Sequence, residues 1–467
     1  MLRFFSQTSS PKGASPRRAR FSRRYVVALL LDLLALAADQ LAVRSTAFAN
    51  AYAHHIYRLL SLGIGSVMGL VPFSVVELLL YGLVLFLVFD FLRALYRSVR
   101  EGMHVGAPLL VFVRHVFLLG SALFVLYVFL CGMNYHRTSF SEEAGLSVTI
   151  GTERTLGAGT DAEPGMNQRT DTATGANDDG MVDQTEELVA LCRYLVSEIN
   201  QREAAFEASA MSSTESAAAA PLSRTSDVNE TDAVASSSSG AAAERTPDSV
   251  LTVEGACIGQ TKETPKPSLQ WLFQAGHAGQ RAMEKLGQRY PRLAGHYPFP
   301  KPILNSWILS VQQTTGVYSP FTVEANYNRD IPYYDLPFTI CHELSHLRGY
   351  MQEEEANFIA VLATIGADDA YYNYSGYVSA WVYAGNALAR VDADAFASLY
   401  GALNARTRQD LLYNNQYWQQ FEGKPAEVHE KVNDAYLKAQ GQTAGTASYG
   451  HVTDLMLAYF AEHGTLE

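Results

Sequence analysis

Three apolar stretches limit what this chain can fold into more than any other feature. They cover residues 25–43, 71–92 (VPFSVVELLLYGLVLFLVFDFL) and 108–130. Each is close to the roughly 20 residues that a helix needs to cross a bilayer. Asp32 and Asp39 interrupt the first, which makes it the weakest, and Arg114 and His115 sit near the start of the third. A basic run precedes the first stretch, as it would in a cleaved signal peptide. No small-x-small site follows a compact apolar core, so the expectation is a retained span. Arg17, Arg18, Arg20, Arg23 and Arg24 flank the first span, and Arg93, Arg97 and Arg100 lie between the second and third. The loop between the first two spans carries only Arg44 and Arg58. The positive-inside rule then places the N-terminus and the 93–106 loop in the cytoplasm, and everything after about residue 132 outside it. Glu77, near the outer edge of the second span, is expected to be interfacial rather than a proton relay.

The net charge of −12 is unevenly distributed, because the first 24 residues are basic and contain no acid. An acidic body with a basic head argues against nucleic acid as a partner. Four cysteines in 467 residues, with no CxxC pair, exclude a disulfide scaffold and a cysteine-rich zinc module. Cys192 and Cys257 could pair in an oxidising exterior. Residues 151–264 are rich in Ser, Ala and Thr and poor in large apolar side chains, the composition of a disordered insertion. One helical island is expected near 184–207, where Leu188, Leu191, Leu195 and Ile199 recur at helical spacing. Order is expected to resume with a helix over 268–290, a β-strand around 316–326, and a mainly helical pattern from 336 to the end. His54 and His55 are expected at the surface.

The chemistry is concentrated in CHELSH, residues 341–346. His342 and His346 are four apart, so on a helix they lie one above the other and can bind one Zn²⁺. Glu343 then projects beside the metal without ligating it, placed to take a proton from the metal's water and pass it to a leaving amine. Asp335 is expected as N-cap, Pro337 in the first turn and Gly349 just past the helix end. A catalytic zinc site wants a third protein ligand, and EEEAN at 353–357 supplies it. Glu353 can complete a His-His-Glu set and Asn357, one turn on, can orient an imidazole. Glu354 is the alternative ligand, and the three acids could equally be a solvated helix N-terminus. Cys341 is expected to be a buried core thiol. Tyr449, His451, Tyr374 and Tyr377 are candidate donors to an oxyanion. Glu324 is expected to pair with Arg329 or Arg348, and the strand that carries it could be an edge to which a peptide adds.

GVYSPFTVEAN (316–326), LPFTICHELSHLRGYMQEEEANFIA (336–360) and NDAYLKAQGQTAGTASYG (433–450) together resemble a bacterial family of unknown function. PFSVVE (72–77) and GMNYHR (132–137) fit the same pattern. Members look like three-span membrane proteins with an exported zincin-like domain. More distantly, HExxH followed by E-x-x-A-N is similar to the gluzincin metallopeptidases. That similarity implies Glu353 as ligand and Asn357 as the support of a ligating histidine, although the separation between the two motifs is short for gluzincins. The resulting expectation is an α+β, mainly helical fold with a small β-sheet. It comprises a basic cytoplasmic N-terminus (1–24), a three-helix transmembrane region (25–131), a juxtamembrane segment (132–150), the insertion (151–264) and a zincin-like metal-binding domain (265–467). The expected function is that of a multi-pass cell-membrane zinc metallopeptidase cleaving peptides outside the cytoplasm. The alternative is a non-catalytic zinc-binding envelope or sensor protein that binds peptides.

Overall fold

A computed structural model describes residues 23–100, 106–146, 184–203, 259–262, 266–440, 442 and 451–467. Among these, three helices are long and apolar enough to cross a membrane: α1 (Arg23–Arg44), α4 (Val75–Arg100) and α5 (Gly106–Leu130), the last continuing as an apolar stretch to His136. α5 packs against both α1 and α4. The buried side of α1 is a stripe of small residues, Ala28, Ala35 and Ala42, spaced seven apart, while Leu29, Leu30, Leu33 and Leu34 face outward. This is how helices pack in lipid, where close backbone approach replaces the hydrophobic drive. The acids of the first span have partners: Asp32 accepts a 2.8 Å bond from Ser121 of α5, and Asp39 lies 3.7 Å from His136.

Between α1 and α4 the chain forms α2 (Thr46–Tyr52), a π-helical turn (Ala53–Tyr57) and α3 (Arg58–Met68). His54 and His55 are exposed there. After α5, a 3₁₀ turn (Gly132–His136) packs with α1 and α2 in a second cluster, and α6 (Phe140–Glu143) enters the main core, where Phe140 is fully buried. Helix α7 (184–203) docks on that same core through Leu188, Leu191, Leu195 and Ile199, with Cys192 buried beside them. Of the rest of the expected insertion only residues 259–262 are described, and there Gln260 is buried, accepting the Tyr333 amide and donating its own to Asp410; Cys257 lies outside the described residues.

The remaining elements are α8 (Leu269–Arg289), β1 (Lys301–Pro302), α9 (Trp307–Ser310), β2 (Gly316–Ser319), β3 (Glu324–Tyr327), α10 (Leu336–His346), α11 (Glu353–Ile365), α12 (Ala370–Val391), α13 (Ala393–Ala402), α14 (Ala405–Gln419), α15 (Lys424–Ala439) and α16 (His451–His463). The fold is mainly helical with a three-stranded sheet of order β1-β3-β2. β1 runs parallel to β3, and β2 runs antiparallel to it with Val317 opposite Asn326. The single strand expected over 316–326 is therefore a hairpin. Its turn passes through Val323 at φ 52, a conformation rare for a β-branched residue and unmarked by the usual Gly or Asn.

Glu324 pairs with neither Arg329 nor Arg348. Its carboxylate is bound by the buried Lys301 ammonium across the β1–β3 pairing, and it also accepts the amides of Val75 (3.1 Å) and Val76 (2.8 Å) at the start of α4. Arg348 instead donates to the His296 carbonyl and lies over the Tyr297 ring, and Arg329 donates to the Leu304 carbonyl. Glu77 answers from the other side: its carboxylate accepts the amides of Leu304 (2.8 Å) and Asn305 (2.9 Å). It is a buried tie between the second span and the sheet.

Candidate metal centre

Helix α10 carries the HExxH sequence. Asp335 occupies its N-cap position but makes no side-chain cap bond there, and Pro337 sits in the first turn. The other end is held from outside the domain. The Tyr57 hydroxyl donates to the His346 carbonyl (3.0 Å), Ser61 to that of Leu347 (2.8 Å), and Arg137 to that of Arg348 (2.7 Å). These bonds satisfy the carbonyls that any helix leaves unpaired at its C-terminus. The chain then reverses at Gly349, with φ +82. A Cβ there would approach Arg137, Asn134 and Tyr57 to 3.1–3.2 Å, so both conformation and space call for glycine. The reversal lays α11 against α10.

This packing brings together His342, His346 and Glu353, whose ligating atoms all lie within 4.8 Å of one another. His342 Nε2 is 3.2 Å from His346 Nε2 and 3.2 Å from Glu353 Oε2. Two ligands on a tetrahedral ion at ~2.0–2.1 Å would stand about 3.3 Å apart. The outer nitrogens are already engaged. His342 Nδ1 is 2.8 Å from Asn357 Oδ1, and His346 Nδ1 is 2.7 Å from the Tyr350 carbonyl. Both partners are acceptors, so each Nδ1 carries the hydrogen and each Nε2 presents a lone pair to the other and to the carboxylate. Three lone pairs converging in a largely buried place repel one another unless a cation lies between them. The donor set of two imidazoles and one carboxylate suits zinc.

Without a cation, protons must compensate. Burial pushes the His342 imidazolium down, but its hydrogen bond to Glu353 and the charges of Glu353 and Glu343 outweigh that and raise it to about 9. Burial and the charge on His342 lower His346 to about 4. Glu353 is itself held below its usual range: burial would raise it, and the bond to His342 wins. Glu343 is raised to about 8 by burial, with Glu353 adding to the effect and His342 opposing it. Its Oε2 is buried without a hydrogen-bond partner. Room for this side chain comes from Gly316 at the start of β2, where a Cβ would lie 2.5 Å from Glu343 Oε1.

The neighbouring acids have other partners. Glu354 accepts a 3.4 Å bond from Gln442, and Glu355 accepts the Phe140 amide at 2.7 Å. Cys341 is a free, fully buried thiol. Tyr374 donates to Asp410 (2.8 Å) and Tyr377 to Glu467 (3.1 Å), both in the core, and His451 opens α16 without lining the site. Tyr449 lies outside the described residues.

His342, His346, Glu353 and Glu343 lie on the wall of a cleft of about 1090 Å³. β2 and α15 both line it, α15 through His429 and Tyr436 among others. The C-terminal end of α5 and the turn that follows it contribute Tyr127, Cys131 and Tyr135. Sequence reasoning missed His429 and Tyr436. Tyr436 falls in the 433–450 segment that carried the family resemblance, but nothing in its spacing set it apart.

The arrangement defines a class: a membrane-associated, mainly helical protein with a His-His-Glu group on two adjoining helices. The chain belongs to the family described as "Protein of unknown function (DUF3810)", whose model matches residues 52–457. No curated protein and no solved structure matches the chain.

Proposed function

We propose that this protein is a membrane-anchored zinc metallopeptidase of zincin type, with its cleft outside the cytoplasm. The observation that carries the reading is the convergence of His342 Nε2, His346 Nε2 and Glu353 Oε2 with both outer imidazole nitrogens already committed. A zinc ion held there would supply a Lewis acid that polarises a carbonyl and acidifies water at neutral pH. Asn357 and the Tyr350 carbonyl hold the two rings in the ligating tautomer. Glu343 has a buried, unpartnered Oε2 beside the ligands, where it can hold the proton taken from water and release it to the departing amine. β2 is an edge strand along the cleft, so an extended substrate can add to it through main-chain bonds.

The test is metal analysis of the full-length chain and its variants, alongside peptide hydrolysis. His342→Ala and Glu353→Ala should lose zinc, and Glu354→Ala should keep it. Glu343→Gln should keep zinc and lose turnover. Full zinc occupancy in His342→Ala would overturn the metal site. Zinc retained with peptide binding and cellular function intact in Glu343→Gln would mark a non-catalytic zinc protein instead.

A further inference from the structure

We infer that the cleft opens at the surface of the membrane, and that its ligand is a polypeptide segment lying within a few residues of its own membrane anchor. That the ligand is a polypeptide rests on the peptidase reading; where the cleft opens rests on geometry alone.

Three crossings place the end of α1, the start of α4 and the end of α5 on one side of the bilayer. The sheet beside the cleft is tied to that level twice. Glu324 binds the Val75 and Val76 amides, which sets the β2–β3 turn on the first turn of α4. Glu77, in that same helical turn, binds the Leu304 and Asn305 amides. Around these ties the surface is apolar. Trp307 is 60% exposed and Leu304 48%, and Phe73, Val317 and Phe321 are exposed with them. Val317 and Phe321 also line the cleft. Large apolar side chains left in water at several neighbouring positions mark an interaction surface, and tryptophan favours the headgroup level of a bilayer. The occupant is the outer lipid leaflet, because the patch is continuous with the lipid-facing start of α4. Tyr127, Cys131 and Tyr135 of the third span also enter the cleft wall, and the Tyr127 hydroxyl is bonded to that of Tyr436 on α15 (3.1 Å). The cleft is thus bounded by the end of the third span and by a hairpin seated on the start of the second, close to lipid. A protein acting on free peptides would have no need of either feature.

Two measurements on the full-length protein in phosphatidylethanolamine–phosphatidylglycerol vesicles test this. In the first, the acyl chains are brominated near the headgroup. Wild-type tryptophan fluorescence should then be quenched more than that of Trp307→Phe, and equal quenching would overturn the seating of the rim. In the second, the Glu343→Gln variant is photo-crosslinked to palmitoylated peptides in which about three or about twenty residues separate the anchor from the crosslinker, reaching roughly 10 and 65 Å when extended. The short-spacer peptide should be captured at least as well as the long one, because a linker that already spans the gap gains nothing from added length. Capture of the long-spacer peptide alone would place the cleft well above the bilayer and overturn the inference. If neither peptide is captured, the peptide-binding reading of the cleft is overturned, and Trp307 quenching then decides the seating of the rim independently.

Discussion

Two buried glutamates, Glu324 in the sheet and Glu343 beside the histidines, have similar exposure and opposite surroundings. They are 2% and 4% exposed. Glu324 is fully engaged by Lys301 and two amides of α4, and it fixes the sheet to a membrane helix. Glu343 has an oxygen with no partner, faces a second carboxylate and two imidazoles, and fits only because Gly316 has no side chain. A buried polar atom without a partner costs about 1–3 kcal/mol. Where that cost is met by neighbours, the group builds structure. Where it is left standing in a cleft wall, the group is held ready for something that arrives from outside.

The contrast is most sharply tested at Glu343. Replacement by Gln should lower peptide turnover about 10²–10⁴-fold, the usual contribution of a positioned general base. The thermal midpoint of the metal-free protein should stay level or rise, since the change removes a buried carboxyl that the fold must hold protonated while the unfolded chain ionises it. A large loss of stability in that variant would erase the distinction between the two glutamates. Lys301→Met should do the reverse. It strands the Glu324 carboxylate and should cost about 3–5 kcal/mol, read as a lowered unfolding midpoint in detergent, while the fraction that folds still binds zinc. A smaller effect is expected at Asn357. Asn357→Ala removes the acceptor for His342 Nδ1 and should weaken zinc binding about 10–100-fold in competition with a chelator. An unchanged affinity would mean that the ring is oriented by packing alone.

The parts of this molecule that could be read from sequence are those set by local geometry. The spans announce themselves by length, and the two histidines by their four-residue spacing. Spacing alone could not separate Glu353 from Glu354, because successive helical residues point about 100° apart and sequence does not say which direction faces α10. Tertiary partners decide it: the Phe140 amide engages Glu355, Gln442 bonds to Glu354, and Glu353 is left with the histidines. The partner of Glu324 was misread for a similar reason. Lys301 lies on a two-residue strand whose parallel register with β3 has no sequence signal. The support that Tyr57, Ser61 and Arg137 give to the end of α10 joins residues more than 200 apart. No periodicity can reveal it.

The mildest test of the comparison is the pH dependence of stability in the metal-free protein. His342 has a folded pKa of about 9 against 6.5 in the free side chain, because Glu353 more than offsets burial. That stabilisation is fully present below 6.5 and is lost as pH rises through 9. Glu343 is held at about 8 against 4.5, chiefly by burial. The unfolded chain ionises it first, so the folded state is progressively penalised between those values. His346, lowered to about 4 by burial and by His342, acts in the other direction: its contribution is present above 6.5 and lost as pH falls. In mild acid the Glu343 and His346 effects oppose one another, while that of His342 is constant. Above about pH 7 the folded state binds more protons than the unfolded chain, so stability must decline. The unfolding midpoint of the metal-free protein should therefore fall from about pH 7 to 9, and Glu343→Gln should flatten the part of that fall below about pH 8. Saturating zinc holds both histidines deprotonated at neutral pH, so the loaded protein should lose the His342 part of the decline. A metal-free curve that is flat, or that rises with pH, would mean that the two histidines and Glu343 do not share the proton-bound arrangement described here.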